Sequence, residues 1–399
     1  MRKFDSFVPV YFGKDSLNSI GHLSAERSIT KALIVCDHGL ANIGQHAVVI
    51  LKEAGIESVL FTGVRPEPTD ESIMKGIETA NSHGGIDGIV GIGGGSSLDT
   101  AKCLNVLLNN PGPLKLYASI GENLPTKPGF PLILIPTTAG TGAECTFSSI
   151  FTCTETGQKM SIRKPNCTLA SAAIIDPCLT FHMPPMLTIS SGVDALCHAM
   201  EAFTVKDTNP VSDALAKEAI TLAYQHLPRA VRNGAQDEEA REAMAVSATL
   251  AGMAFSNTLL HLAQAVGHSL GAVLHKPHGL MVGQALPEIM EYICDVCPDR
   301  VKMAGTLIGI HFQGNESQEQ IGSMVKQQLY ALYDAIGFPS LRDMGFTLDE
   351  ALEAVPLVEK DGCFTFSPKS MNQDQIVACI RNIYEHNGSD RRVYGVCKN

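Results

Sequence analysis

Apolar residues along this chain come in two textures. In the first part they form short continuous runs. These are Phe7-Val8-Pro9-Val10-Tyr11-Phe12-Gly13, Ala32-Leu33-Ile34-Val35-Cys36 closed by Asp37, Ser58-Val59-Leu60-Phe61, Gly88-Ile89-Val90-Gly91-Ile92 and Pro131-Leu132-Ile133-Leu134-Ile135-Pro136. A run that is apolar at every position fits a strand covered on both faces. Residues 43–54 and 70–82 instead read as amphipathic helices. Strand and helix in alternation predict an α/β domain on a mostly parallel sheet with right-handed crossovers.

Beyond Met183 the strand-like runs almost cease. Long segments rich in Ala, Leu and Glu cover 188–205, 210–233, 237–256, 258–274, 280–293, 317–336 and 373–386, and predict helices. Asn209-Pro210 and Thr347-Leu348-Asp349-Glu350 carry helix-start signals. The expectation is an α/β domain over residues 1–183 and an all-α domain over 184–399, meeting at Met183-Pro184-Pro185. No low-complexity linker or solenoid repeat interrupts them.

Composition narrows the class. The 399 residues are 45% hydrophobic and 18% charged, enough core for two globular domains. The net charge of −11 is spread without a basic run, which argues against nucleic acid and against an anionic membrane surface as partners. No apolar run reaches bilayer length. Met1-Arg2-Lys3-Phe4-Asp5 leads into no signal-like segment, so the cytoplasm is the expected compartment. The 12 cysteines are scattered, apart from Cys294-Asp295-Val296-Cys297. With no second pair, this CxxC reads as structural, on an apolar helix.

Two loops after buried runs carry candidate chemistry. Gly93-Gly94-Gly95-Ser96 lies between a strand and a helix. Glycines there let the backbone approach a pyrophosphate, and the helix start supplies free N–H groups and partial positive charge. Ser96 stands where the last glycine of a GxGxxG would fall, so the fingerprint is incomplete. Thr137-Thr138-Ala139-Gly140-Thr141-Gly142 follows the run at 131–136 and is likewise placed for a dinucleotide. Asp37 ends its strand where an acid accepts hydrogen bonds from a ribose 2′-hydroxyl and repels a 2′-phosphate. Glu67, between Pro66 and Pro68, adds to that repulsion, so NAD is expected ahead of NADP. Further on, Asp194 and His198 lie four apart and project from one helix face. A carboxylate and an imidazole so placed can grip a divalent cation. His268 and His278 are the further candidates.

These residues fall into a familiar set. Over nearly its whole length the chain resembles the iron-containing (group III) alcohol dehydrogenases. Gly192-Val193-Asp194-Ala195, His198-Ala199 and Glu201 match a G-x-D-A-x-x-H-A-x-E signature, and Pro277-His278-Gly279 matches P-H-G. The H-x-x-x-H is half present, with Gln264 in place of its first histidine and His268 as its second. The resemblance implies a two-domain architecture shared with dehydroquinate synthase, its first domain binding the dinucleotide. It places Gly94, Gly95, Ser96 and Asp99 of a GGGSxxDxAK turn at the coenzyme, with Thr137, Thr138 and Thr141 of a second loop. Lys159 and Leu179 also fall at coenzyme positions. Asp194, His198 and His278 take the metal-ligand positions, for iron ahead of zinc. His268 takes the place of a histidine near nicotinamide and substrate that helps move the alcohol proton to solvent. Phe255 lines the substrate pocket, and Cys363 lies in the segment that closes it. There Ser367-Pro368-Lys369 replaces the family's N-P-R.

At Gln264 three readings stay open. The amide ligates weakly or yields to water, His261 reaches in from a turn earlier, or the site is metal-poor with altered activity. The expected function is that of an NAD-dependent, metal-assisted alcohol dehydrogenase acting on a small primary alcohol or its aldehyde, as a homodimer or larger homo-oligomer. One rival is a dehydroquinate synthase-type lyase, which needs a phosphate-binding basic cluster where only Lys276 adjoins the motif. The other is a non-catalytic, filament-forming relative that retains NAD, favoured by Gln264 alone.

Overall fold

The structure, a computed structural model, describes residues 3–5, 8–118 and 125–386. Two compact units meet in sequence between Phe181 and His182, and residues 3–5 group with the second.

The first unit contains strands β1 (Val10–Phe12), β2 (Lys31–Asp37), β3 (Glu57–Val64), β4 (Gly88–Gly93), β5 (Leu132–Pro136), β6 (Ser148–Thr152), β7 (Lys159–Arg163) and β8 (Ala172–Ile175). Its helices are α1 (Ile20–Glu26), α2 (Ala41–Glu53), α3 (Asp70–Ser82), α4 (Gly95–Asn109) and the short α5 (Pro165–Thr168). Six strands form one parallel sheet in the order β1-β8-β5-β4-β2-β3. The continuous apolar runs are explained by burial on both faces. Ile34, Ile92, Ile135 and Ile174 pack on one face with Ile20 and Leu23 of α1 and Leu51 of α2. The alternate residues Leu33, Ile89 and Leu134 are equally buried on the other. Each such side chain stabilises the fold by about 1.5–3 kcal/mol. Phe7, in the first predicted run, lies outside the described residues.

The second unit is helical: α6 (Pro185–Thr204), α7 (Pro210–Asn233), α8 (Glu238–Thr258), α9 (Leu262–Leu274), α10 (His278–Tyr292), α11 (Pro298–Leu307), α12 (Gln318–Ile336), α13 (Leu348–Leu352), α14 (Val355–Val358) and α15 (Gln373–Glu385). From Thr188 to Thr204 all of α6 except Ser191 is buried, against α7, α8 and α10. Both signalled helix starts are capped: Asn209 accepts from Val211 and Ser212, and Thr347 accepts from Glu350. No single described helix is long and apolar enough to cross a membrane.

An α/β unit followed by a helical one matches the expectation, with differences in detail. The antiparallel hairpin β6–β7 was not foreseen, because Lys159, Ser161 and Arg163 give it no apolar run. Strand β8 is four residues long, too short to show a period. Helix α11 buries only Val301, Ala304 and Gly305, too little for a pattern. Leu259, at φ 67, breaks the chain between α8 and α9, which bend by 104°. Cys294 and Cys297 lie in the turn between α10 and α11 and not on a helix. Burial pushes their thiols up to about 11 and about 12, as befits structural cysteines.

Asp237, ahead of α8, gives this unit an acid-sensitive joint. Its carboxylate accepts from Arg229 Nε at 3.0 Å and Nη2 at 2.8 Å, from Asn233 at 3.0 Å and from the Ala240 N–H at 3.1 Å. Arg229 first, then Asn233, hold the carboxyl down to about 2 from an ordinary 3.8. A depressed carboxyl adds stability that is complete above about pH 4 and lost as pH falls through its folded value. Asp237→Asn should therefore lower Tm at pH 7, with the gap to wild type closing below pH 4. Thermal melts across that range check this; a gap independent of pH would show that Asp237 carries no linkage.

Candidate active site

In the first unit, three neighbouring strands bring the candidate coenzyme residues to one edge. Val35 of β2 pairs with Gly91 of β4, and Gly93 of β4 pairs with Pro136 of β5. Asp37, the glycine turn and the threonine loop therefore leave the sheet side by side. From β2 the chain goes to β3 on one side and then to β4 on the other, so the order reverses between β2 and β4, where open α/β sheets bind ligands. Gly93 sits at φ 147, and its carbonyl accepts the Thr137 N–H at 3.0 Å, which ties the two loops together. A Cβ on Gly95 would lie 2.9 Å from Thr141 Cγ2, so a side chain there would fill the cradle. Gly94, the N-cap of α4, has no side chain to cap it, which suits the N–H groups at the very start of the helix to an anion.

Asp99 lies one turn into α4. Burial pushes its carboxyl up to about 6 against the pull of Lys102. The fully buried Lys102 ammonium donates to the carbonyls of Ala143 (2.6 Å), Thr146 (3.0 Å) and Ser148 (2.7 Å), and so anchors the segment after the threonine loop. Lys159 Nζ lies 2.6 Å from Glu67 Oε1, a pairing that sequence reasoning had not made. Leu179, half-buried, packs against the sheet-face core.

In the second unit, Asp194 and His198 come from adjacent turns of α6, and His278 opens α10. One ligand atom from each lies within 4.8 Å of the others. Asp194 Oδ1 is 3.4 Å from His198 Nε2 and 3.3 Å from His278 Nε2. That oxygen is buried without a partner in hydrogen-bond geometry. Burial works to raise the Asp194 carboxyl, but the charges of His198 and His278 overcome it and hold it below its ordinary value. One anionic oxygen and two imidazole nitrogens suit a borderline divalent cation, so the donor set fits the implied metal. Phe255 lies against His198, with ring centroids 4.7 Å apart.

His268, on α9, stacks on His278 at 5.1 Å. Its Nδ1 is 2.9 Å from Asp361 Oδ2, and a second group of possible metal donors joins His268, Asp361 and Cys363. Sequence reasoning gave Asp361 no role, since only the fold brings it to α9.

The Glu201 carboxylate, fully buried on α6, accepts the backbone N–H groups of His261 (3.1 Å), Ala263 (2.5 Å) and Gln264 (3.3 Å). It caps α9 from a neighbouring helix, although burial pushes it up to about 8. His261 Nε2 is 2.9 Å from Thr204 Oγ1, so this histidine is engaged away from the cluster. Gln264 is buried, and its Nε2 has no acceptor.

A parallel sheet with a glycine turn at its reversal point, and a carboxylate–imidazole cluster on helices, are the parts of a metal-assisted dehydrogenase. Residues 8–177 match the family described as iron-containing alcohol dehydrogenase, and residues 188–384 match the C-terminal part of the Fe-containing alcohol dehydrogenase family. The chain belongs to this family, oxidoreductases acting on CH–OH groups. It is 35% identical to the 1,3-propanediol dehydrogenase of Klebsiella pneumoniae over 96% of this chain and 99% of that one. Among solved structures, a 1,3-propanediol oxidoreductase superposes with a TM-score of 0.90 at 35% identity, covering 96% of this chain and 100% of the other. The sulfoacetaldehyde reductase of Bifidobacterium kashiwanohense, solved in complex with NAD+, superposes with 0.87 at 26% identity, covering 97% and 100%.

Proposed function

We propose that this protein is an NAD-dependent dehydrogenase of small primary alcohols, and reductase of the matching aldehydes, with a divalent cation held by Asp194, His198 and His278. The observation that carries the reading is the convergence of those three donors within 4.8 Å, in a chain whose two parts both match the iron-containing alcohol dehydrogenases. When bound, the cation supplies Lewis acidity toward an alcohol oxygen and the nicotinamide supplies the hydride acceptor.

The chain's own residues do the rest. Asp194 binds as the carboxylate and offsets one charge of the cation. Phe255 packs on His198 and shields that side from water. A third of the His278 side chain is exposed, against 4–6% for Asp194 and His198, so substrate approaches from the His278 side. His268, also one-third exposed and stacked on His278, passes the alcohol proton to solvent. In the first unit Gly94, Gly95, Ser96 and Asp99 with Thr137, Thr138 and Thr141 hold the pyrophosphate side of the coenzyme, joined by Lys159 and Leu179. Asp37 accepts the ribose hydroxyls. Asp37 opposes a 2′-phosphate, hence NAD over NADP, and Glu67, whose charge Lys159 offsets, adds less. Iron is favoured over zinc because the family is named for it. A cytoplasmic homodimer or larger homo-oligomer completes the reading.

Absorbance at 340 nm over a panel of small alcohols and aldehydes, with NAD and NADP in parallel, tests it. The reading expects hydride transfer with a higher kcat/KM for NAD. No transfer with metal-loaded protein would end it, and equal values for both coenzymes would remove the NAD preference.

The coenzyme candidates lie in one unit and the metal donors in the other. NADH should therefore still bind after chelation, with Kd within about threefold of the untreated protein, a shift under 1 kcal/mol. Fluorescence titration before and after chelator treatment checks this; complete loss of binding with an intact melt would sink the division of labour.

A further inference from the structure

Resting on that reading of the site, we propose that Asp361 is a positioning residue which fixes His268 in its Nδ1–H tautomer and so leaves Nε2 as the nitrogen that accepts the alcohol proton. A neutral imidazole has one donor and one acceptor nitrogen, and which is which follows from the bond the other makes. An ionised carboxylate only accepts, so the nitrogen facing it is the donor. That nitrogen is Nδ1, 2.9 Å from Asp361 Oδ2. The other oxygen, Oδ1, accepts the Cys363 N–H at 2.8 Å, so both ends of the carboxylate are held. Its backbone is fixed as well, because Phe364 N–H donates to the Asp361 carbonyl at 3.1 Å.

The ionised state is secured locally. Burial works to raise the Asp361 carboxyl, but the hydrogen bond with His268, and then those with the Cys363 N–H and thiol, bring it below its ordinary range. Burial alone does not hold the ring, since a third of the His268 side chain is exposed. Stacking on His278 sets the plane of the ring, with 26° between the two. It does not choose between the two nitrogens; Asp361 does. A base oriented by a third group is a recurring arrangement in catalysis, and for histidines at metal sites removing the orienting partner typically costs about 10- to 100-fold.

The test uses the full-length, metal-loaded protein. Asp361→Asn keeps the size of the side chain but not its acceptor-only character. It should lower kcat about 10- to 100-fold while KM for NADH and for aldehyde stay within about twofold. Asp361→Ala should do the same, and melts of both variants establish that they are folded. In a His268→Ala background, Asp361→Asn should change kcat by less than about twofold, because the residue acts through the histidine. An unchanged kcat, or a loss that persists without His268, overturns the proposal.

A second readout needs no turnover. 15N spectra of histidine-labelled protein, assigned with His268→Gln, should show His268 protonated at Nδ1 in wild type and mixed in Asp361→Ala. A wild-type Nδ1 without its proton overturns the proposal, and that includes the case of a cation shared by His268, Asp361 and Cys363. Absence of hydride transfer in wild type would instead end the reading of the site, while the tautomer measurement still decides the role of Asp361.

Discussion

Gly279→Ala should cost the protein much of its metal affinity, about 10- to 100-fold. Gly279 follows His278 at the start of α10, where that helix meets α6. A Cβ added there would lie 2.1 Å from the Ser190 carbonyl oxygen and 2.8 Å from its carbon. Those atoms are backbone and cannot rotate aside. Interiors are close-packed, so relief comes from withdrawing the start of α10 by roughly 1 Å. His278 Nε2, now 3.3 Å from Asp194 Oδ1, would withdraw with it. Disturbing what holds a ligand in place typically costs about 10- to 100-fold in metal affinity. The overpacking should also lower stability by about 1–3 kcal/mol. Gly271→Ala is the control, because a Cβ there meets its nearest neighbour at an ordinary 3.7 Å. Competition with a chromophoric chelator, beside thermal melts, gives both quantities. If Gly279→Ala binds metal as tightly as wild type, the contact of α10 with Ser190 is not what places His278.

Gln264→His should act in the opposite direction, raising the affinity for ferrous iron or zinc about tenfold or more. Gln264 lies one turn before His268, whose ring stacks on the candidate ligand His278, so both project toward the same side of α9. A neutral amide is a poorer donor to a borderline cation than an imidazole. The site is prepared for the change: the backbone N–H of Gln264 is already held by Glu201, and its Nε2 is buried without an acceptor. With Asp194, His198 and His278 the variant would offer one carboxylate and three imidazoles. Activity need not follow, since a fuller site leaves a smaller opening for substrate. The same chelator competition decides. Equal affinities would mean that position 264 faces away from the cation, and the motif alignment from Gln264 to His278 would have to be abandoned.

Features with a short range in sequence and a clear apolar period were legible before the fold was known. The all-apolar runs of β2, β4 and β5 read as strands covered on both faces, because period and composition within a few residues decide that. The pairing of Asp194 with His198 was equally local, since four residues on a helix return to the same face. The glycine turn was placed by its position between a strand and a helix, and the resemblance to the family supplied the wider ligand set. The hairpin β6–β7 escaped, because polar residues on a half-exposed ribbon leave no period to read.

Tertiary structure alone decided which distant groups meet. His268 and Asp361 are 93 residues apart, and nothing in either segment announces the other. Glu201 was visible as part of a signature, but its work as the cap of α9 depends on the helices packing side by side. His261, one of the open readings for the fourth ligand, turned out to be engaged with Thr204. In each case the partner is chosen by how closely helices approach, and that distance is set by contacts such as Gly279 on Ser190, where a missing Cβ brings two backbones together. A sequence shows the glycine; only the packed helices show what the glycine lets in.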